Sequence, residues 1–387
     1  MTLFTAGRKN GGKMSSNLIS VSKSQGLVLD MIRRQPGTTR TRLQNQLGLP
    51  QQSLHRLTTQ LEEQGLIRQS GPATEGRGKP TPPFQLNPAG AFAFGLSINA
   101  ASAELVLTDL TGAVLAEETL RSDPDDPPAV IAETARLSAM LISRQRLDPA
   151  RHAGLGVAMQ GFRAAGQDQF RTIVQLDRWY DMPIRAAFAQ ALGPLVYAEN
   201  SAKLGAIAEA WTGHGQRFPT FAYVSLNYGL GGGFMVEGNL SFGAHWNAGE
   251  LTTLFNLDQK PHRPALGNLL RYLREHGHEV ASIKAIPRRG TPGWDLVEAW
   301  VEEVHPALHQ LTRALWGILD PAAIIIGGEA HDDLRSLIAA HCPFEIRDRL
   351  GNPMRGPLCL PGAVRGDPSA CGAAIFAIRN TLYGTQG

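Results

Sequence analysis

Residues 38–67, TTRTRLQNQLGLPQQSLHRLTTQLEEQGLI, carry two short apolar patterns of helical spacing on either side of a tight turn. Thr41, Leu43 and Leu47 form the first, which breaks at Gly48. The second begins after Leu49 and Pro50 and runs through Leu54, Leu57 and Leu61 to Gly65. Two amphipathic helices around a glycine-containing turn make a helix-turn-helix, in which the outer face of the second helix is left for DNA. Residues 51–64 are therefore read as the recognition helix. Its outward N-terminal residues Gln51, Gln52, Ser53, His55 and Arg56 are the candidate contacts, because glutamine pairs bidentately with adenine and arginine with guanine or phosphate. Arg40 and Arg42 open the first helix and are placed to clamp the DNA backbone.

Around this core the pattern extends in both directions. A helix is expected over 22–34, with Val28, Leu29 and Ile32 facing inward and Pro36-Gly37 as its stop. Short strands are expected at 66–69 and 83–86. The turn-rich GPATEGRGKPTP between them reads as a wing, with Arg77 and Lys79 at its tip to reach phosphates or the minor groove. Three helices and a two-stranded wing make a winged helix. Charge agrees with that reading. Residues 1–90 hold twelve basic and four acidic groups, a surplus of eight, whereas the remainder holds 25 basic and 30 acidic. A basic head on an acidic body points to a polyanion partner for the head alone.

With 387 residues, 43% hydrophobic and 18% charged, the chain is long enough for two or three folded domains. No apolar run approaches the roughly 18–20 residues of a membrane helix. The first residues, MTLFTAGRKNGGKMSS, lack the apolar core of a signal peptide and read as a flexible leader, with Met14 as an alternative start. Cys342, Cys359 and Cys371 are scattered, which fits a reducing cytoplasm.

Beyond residues 87–90 the character changes. Residues 92–107 read as one apolar strand, 108–112 as a turn and 113–119 as a second strand of a hairpin. A helix at 128–144 and a strand at 153–159 follow. Further strands are expected at 222–226, 232–236 and 324–327, and helices near 183–192, 201–211, 266–275, 295–319 and 331–340. This is an α/β architecture with mixed sheets and two lobes. Gly229, Gly231, Gly232 and Gly233 are read as a strand-to-strand turn that needs positive φ or close backbone approach.

Taken together these segments resemble the ROK family (repressors, open reading frames and sugar kinases), in its transcription-factor branch, over about residues 20–380. The resemblance rests on Gly65-Leu66-Ile67 and Gly76-Arg77-Gly78-Lys79-Pro80 in the head. In the body it rests on Phe94-Gly95-Leu96 with Thr108-Asp109-Leu110-Thr111-Gly112, on Glu199-Asn200-Ser201-Ala202 with Glu209, and on Leu319-Asp320-Pro321 with Ile326-Gly327-Gly328. It implies a winged helix-turn-helix followed by a two-lobed actin-like, hexokinase-like ATPase fold, sugar binding between the lobes, and homo-oligomers. The expected division is a leader at 1–20, the winged helix at 21–88 and the sugar-binding domain at 89–387.

Departures from the family pattern bear on chemistry. Ser201 stands where family kinases carry the aspartate that deprotonates the sugar hydroxyl, and a serine cannot accept that proton without a base of its own. Ser97-Ile98-Asn99-Ala100-Ala101-Ser102 replaces the stretch that holds Mg-ATP, and Asn227-Tyr228 replaces a phosphate-loop Gly-Thr. Thr253, Pro261, Arg263 and Asn268 occupy zinc-ligand places, with His262 adjacent, so no metal is expected. Neither enzymatic activity nor a cofactor is expected. The candidate ligand residues that the resemblance leaves are Gly161, Gln175, Asn200, Ser201 and Glu250, with Leu270 where a sugar-binding glutamate often stands. Retention of Asn200 and Glu250 as hydrogen-bonding struts is the alternative. The expected function is a repressor of carbohydrate genes that binds a palindromic DNA operator as a homodimer or homotetramer and answers to a sugar or sugar derivative. A ligand-independent regulator set by a partner protein, or a sugar kinase, would be the other outcomes.

Overall fold

The computed structural model describes residue 19 and residues 21–70, 82–164, 168–342 and 346–384. The head is built from helices α1 (Lys23–Arg34), α2 (Arg40–Leu47) and α3 (Gln51–Glu63) and strands β1 (Ile67–Gln69) and β2 (Phe84–Leu86). Its local signals are those of the sequence. The Ser22 hydroxyl accepts from the Gln25 amide, and the Gln25 side chain accepts from the Ser22 amide, closing a capping box at α1. Thr39 caps α2, and Gly48 ends it at φ 62°, a left-handed turn that a side chain resists. Val28, Leu29, Ile32, Leu43, Leu54, Leu61 and Phe84 are buried together beneath the strands. β1 and β2 pair antiparallel, with Ile67 opposite Leu86. The wing tip with Arg77 and Lys79 falls outside the described residues.

The body holds two five-stranded sheets with the same internal plan. In the first, β3 (Phe92–Ile98), β4 (Ala103–Asp109) and β5 (Val114–Thr119) form an antiparallel meander. After α4 (Pro127–Arg144), β6 (His152–Met159) joins β3 in parallel. A small hairpin of β7 (Phe162–Arg163) and β8 (Phe170–Arg171) and helix α5 (Ile184–Leu192) lead to β9 (Val196–Asn200), which is parallel to β6. After α6 (Ser201–Thr212), the second sheet repeats the scheme. β10 (Phe221–Leu226), β11 (Leu230–Val236) and β12 (Asn239–Ser241) form the meander. Helices α7 (Leu266–Glu275), α8 (Trp294–Glu303) and α9 (His305–Leu319) precede β13 (Ala323–Gly328), which joins β10 in parallel. α10 (Asp332–Ala340) precedes β14 (Leu358–Pro361), parallel to β13, and α11 (Pro368–Leu382) closes the described chain. A duplicated sheet of this topology is the actin-like, hexokinase-like fold, and α6 and α11 lie face to face between its halves.

Three expectations are corrected. The apolar run 92–107 is two strands, because Asn99–Ser102 turns the chain and the Asn99 amide donates to the Ser102 carbonyl (2.9 Å). The long helix expected over 295–319 is α8 and α9, which break at Val304. Pro306 sits in the first turn of α9 and has no amide hydrogen to carry α8 onward. Gly231, Gly232 and Gly233 lie within β11 rather than in a turn. None has a left-handed backbone; Cβ atoms at Gly231 and Gly233 would press on Ala202 (2.9 Å) and Ala206 (2.7 Å) of α6, and one at Gly232 on the Leu251 side chain (2.7 Å). Strand β9 and helix α11 were not anticipated at all.

Candidate DNA-reading helix and ligand cleft

On α3, Gln51, Gln52, His55 and Arg56 are exposed and Ser53 is half-buried, while Leu54, Leu57, Thr58 and Leu61 face the core. The N-cap is Pro50, which offers no side-chain acceptor, so the first amides of α3 keep their donors for water or an incoming phosphate. Arg42 is exposed. Arg40 instead folds back: its Nε donates to Thr58 Oγ1 (3.1 Å) and its guanidinium lies 5.3 Å from the centre of the Phe84 ring. Arg40 thus ties α2 to α3 and β2, in addition to any contact its outer nitrogens make with DNA.

The head is fixed to the body through α1. A Cβ at Gly26 would lie 2.8 Å from the Tyr383 carbonyl oxygen at the end of α11, so the two backbones touch there. The Arg33 guanidinium sits 4.0 Å above the ring of Trp211, in the last turn of α6, and Trp211 meets Tyr383 edge to face at 5.4 Å. Asn87 Nδ2 donates to the Gly65 carbonyl (2.7 Å), and Arg151 Nη1 donates to the Gln64 carbonyl.

At the opposite end of α6 lies a cavity of about 190 Å³ between the lobes. Gly161, Asn200, Ser201 and Glu250 all line it, and Gln175 does not. Asn200 ends β9 and caps α6. Its Oδ1 accepts from the amides of Ala202 (2.9 Å) and Lys203 (3.4 Å), and its Nδ2 donates to the Gly161 carbonyl (3.0 Å) and reaches Glu250 Oε1 at 3.5 Å. Gly161 is held at φ 125° with its Cα against the Arg171 carbonyl, where a Cβ would come within 2.4 Å. Burial pushes the Glu250 carboxyl up to about 7; Lys203 pulls against this and Glu199 adds to it.

Behind the cavity is a buried ionic cluster that the sequence did not reveal. Glu199 is fully buried and accepts from Arg163 Nη1 (2.5 Å) and from the Asn200 amide (2.7 Å). Lys203 is also buried, 3.6 Å from Glu199 Oε1, and donates to the Trp246 carbonyl. Burial pushes its ammonium down, against the pull of Glu199 and Glu250. The cluster fixes the first turn of α6, and with it Asn200 and Ser201.

A second cavity of about 440 Å³ opens on the far side of the lobes, next to Asn99 and Gly328. Five carboxyls line it, Glu104, Glu117, Glu329, Asp332 and Asp367, together with the cations Lys284, Arg288 and Arg335. Burial and the nearby Asp367 push Glu329 up to about 8, and burial raises Asp367 as well. Gln160 bridges the two cavities. Its Nε2 donates to Asn99 Oδ1 (3.0 Å) and to Glu329 Oε1 (3.1 Å), and Asn99 Nδ2 donates to Asp367 Oδ2 (3.2 Å).

The residues at the expected zinc-ligand places make other contacts. Asn268 Nδ2 donates to the carbonyls of Lys260 (2.9 Å) and Arg263 (3.0 Å), so an amide clasp closes the loop. Thr253 donates to the Glu250 carbonyl (2.7 Å), and His262 pairs with Glu303 at the surface. Leu270 is buried in the core of the second lobe. Arg263 and Arg171 line the ligand cavity, which sequence reading missed because it weighed Arg263 only as a lost metal ligand.

Comparison with known proteins places both parts. Residues 93–255 match the ROK family and residues 19–78 match the MarR family. A protein of Sinorhizobium fredii, y4fQ, is 24% identical over 344 residues, covering 88% of this chain and 85% of its own. The xylose repressor of Caldicellulosiruptor bescii is 23% identical over 286 residues, covering 73% and 71%. A solved ROK family transcriptional regulator, a homologue of the Escherichia coli MLC protein, superposes with a TM-score of 0.62 at 18% identity, covering 93% of this chain and 97% of that one. ROK sugar kinases are among the other structures with this fold. The chain thus carries a ROK family domain preceded by a MarR-type winged helix.

Proposed function

We propose that this chain is a DNA-binding transcriptional regulator of the cytoplasm, a repressor of carbohydrate-metabolism genes. A sugar or sugar derivative between the lobes sets its affinity for the operator. The observation that carries the reading is the path of α6. Asn200 lines the ligand cavity and caps this helix, and Trp211 at its other end supports Arg33 of the winged helix. Twelve residues of α6 span about 18 Å between the two. A ligand that draws Asn200 and Glu250 together therefore acts on the same rigid element that seats the head. Similarity to xylose repressors supports the assignment.

The chain does not act as a kinase in this reading. Ser201 offers no base of its own to take the proton of a sugar hydroxyl. A coupled assay for ADP with glucose, N-acetylglucosamine and xylose is expected to stay at background. The operator is a palindrome read by a homodimer or homotetramer, with α3 in successive major grooves.

The test is a footprint on the upstream region of the gene's own operon, repeated with Gln52→Ala plus Arg56→Ala. Loss of protection, at about 1–3 kcal/mol per lost base contact, is expected. An unchanged footprint would remove α3 as the reader. Titration of sugars against the preformed complex tests the sensor, since a ligand shifts the equilibrium only by its differential affinity for the two states. Indifference to every sugar and sugar derivative would sink that half of the proposal.

A further inference from the structure

Arg263 stands out in the ligand cavity as a half-buried cation without a counter-charge. It lines the cavity, its Nε is shielded from solvent, and no acceptor among the described residues takes a hydrogen bond from that nitrogen. No carboxylate among the described residues forms an ion pair with its guanidinium, which burial alone pushes below its usual range. Its backbone, in contrast, is firmly placed. The carbonyl accepts from the Ala265 amide (2.8 Å) and from Asn268 Nδ2 (3.0 Å), so the loop holds the side chain at the cavity instead of leaving it to swing away. A buried arginine donor with no partner is costly, and natural sites relieve that cost by pairing.

The charge inventory of the cavity points the same way. Its ionisable lining consists of Arg171, Arg263 and Glu250. Positive charge is thus in excess even when Glu250 is ionised. The neutral polar lining, Asn200, Ser201, Asn227, Thr172 and Thr252, suits hydroxyls. A neutral sugar would satisfy those groups and could accept from Arg263, but it would supply no counter-charge to the guanidinium.

We propose that Arg263 is an anion-binding residue of this cleft, and that the effector is a sugar bearing an acidic group, either a carboxylate or a phosphate ester. This rests on the sensor reading above and narrows its ligand class. The guanidinium forms a charge-assisted, two-pronged contact with the acid while Asn200 and Glu250 hold hydroxyls of the ring.

Calorimetric titration of the full chain at fixed ionic strength tests this with matched sets: glucose, gluconate, glucuronate and glucose 6-phosphate, then xylose and xylonate. At least one acid should bind tighter than its neutral parent by about tenfold or more. The carboxylate and phosphate arms tell which acid the site takes. In Arg263→Gln that preference should fall to within about twofold, while binding of operator DNA by the ligand-free protein and its thermal midpoint hold. Arg263→Lys, which keeps charge but not the fork, should retain part of the preference. Neutral sugars binding as tightly as every acid would overturn the proposal and leave the sensor reading intact. Equal loss of acid and neutral binding in Arg263→Gln would also overturn it, by making Arg263 structural. Absence of binding by all six sugars would overturn both.

Discussion

Glu250 holds a carboxyl that burial raises from 4.5 to about 7, so it changes charge within the working range of a cell. The unfolded chain releases this proton near 4.5 and the folded one near 7. The native state thus binds the proton more tightly, and the stability it contributes is complete below about pH 4.5 and lost as pH rises through 7. A shift of this size corresponds to roughly 3 kcal/mol. Glu250→Gln, which is neutral at all pH, should raise the thermal midpoint at pH 8 and leave it nearly unchanged at pH 5. Binding has the opposite sign, because only the carboxylate accepts from two sugar hydroxyls at once. Sugar affinity of the wild type should climb between pH 6 and pH 8, and Glu250→Gln should bind more weakly with a flat profile. A wild-type affinity that falls with pH would mean that the protonated carboxyl donates to the ligand. At this scale the sequence was partly legible. Asn200, Ser201 and Glu250 were singled out in advance, and the structure brings them together at one cavity. Arg263 was weighed only as the occupant of a metal-ligand place, and its burial at the cavity and its unsatisfied Nε emerge only from the structure.

Among the elements, α11 shows where sequence reading fails and why. Its residues PSACGAAIFAIRNTL are buried on nearly every side, so no polar face marks a helical period. β9 is likewise enclosed and too short to stand out. Of the helices read in advance, α1, α3, α4 and α7 each keep one wet face, whereas α6, nearly as enclosed as α11, was read at 201–211 all the same. Small residues are what admit α11 to its place. A Cβ at Gly95 of β3 would lie 1.9 Å from the Ala370 carbonyl oxygen, one at Gly156 of β6 would lie 1.9 Å from that of Ala373, and one at Gly372 would lie 1.7 Å from that of Leu204 on α6. Backbone cannot yield as a side chain does. Gly372→Ala should destabilise by at least about 1–3 kcal/mol, the usual range for overpacking, and disturb α6 with it. Gly317 in α9 is exposed, and a Cβ there meets nothing within 4 Å. Gly317→Ala should be neutral or stabilising by up to about 1 kcal/mol, through helix propensity. Thermal unfolding of the two single variants compares close packing with propensity in one protein. Equal midpoints would mean that α6 and α11 can separate at no cost.

In the whole molecule, both central helices begin at a cavity and end at the DNA-binding head. α6 starts from Asn200 and finishes at Trp211 beneath Arg33; α11 starts from Asp367, beside the second cavity, and finishes at Tyr383 against Gly26 of α1. Motion of one lobe against the other therefore reaches α1 through two rigid rods that meet where Trp211 packs edge-on to Tyr383. The body holds the head through α1 and through the C-terminal end of α3, where Arg151 donates to the Gln64 carbonyl, while the N-terminal residues Gln51, Gln52, His55 and Arg56 of α3 stay exposed. Coupling of this kind is reciprocal by thermodynamic necessity. If saturating effector weakens operator binding by a given factor, saturating operator must weaken effector binding by the same factor, and the two measurements in one buffer form a closed cycle. Arg33→Gln removes the guanidinium from Trp211, a contact worth about 0.5–2 kcal/mol, without touching either ligand site. That variant should keep the effector affinity of the free protein within about twofold and shrink both legs of the cycle by an equal factor. Arg33 also pairs with Asp30 (2.9 Å), so Asp30→Asn serves as the control that disturbs the ion pair and leaves the stacking. Full coupling retained in Arg33→Gln would move the transmission to α11 and Gly26. Loss of effector affinity without change in the coupling factor would place Arg33 outside the path altogether.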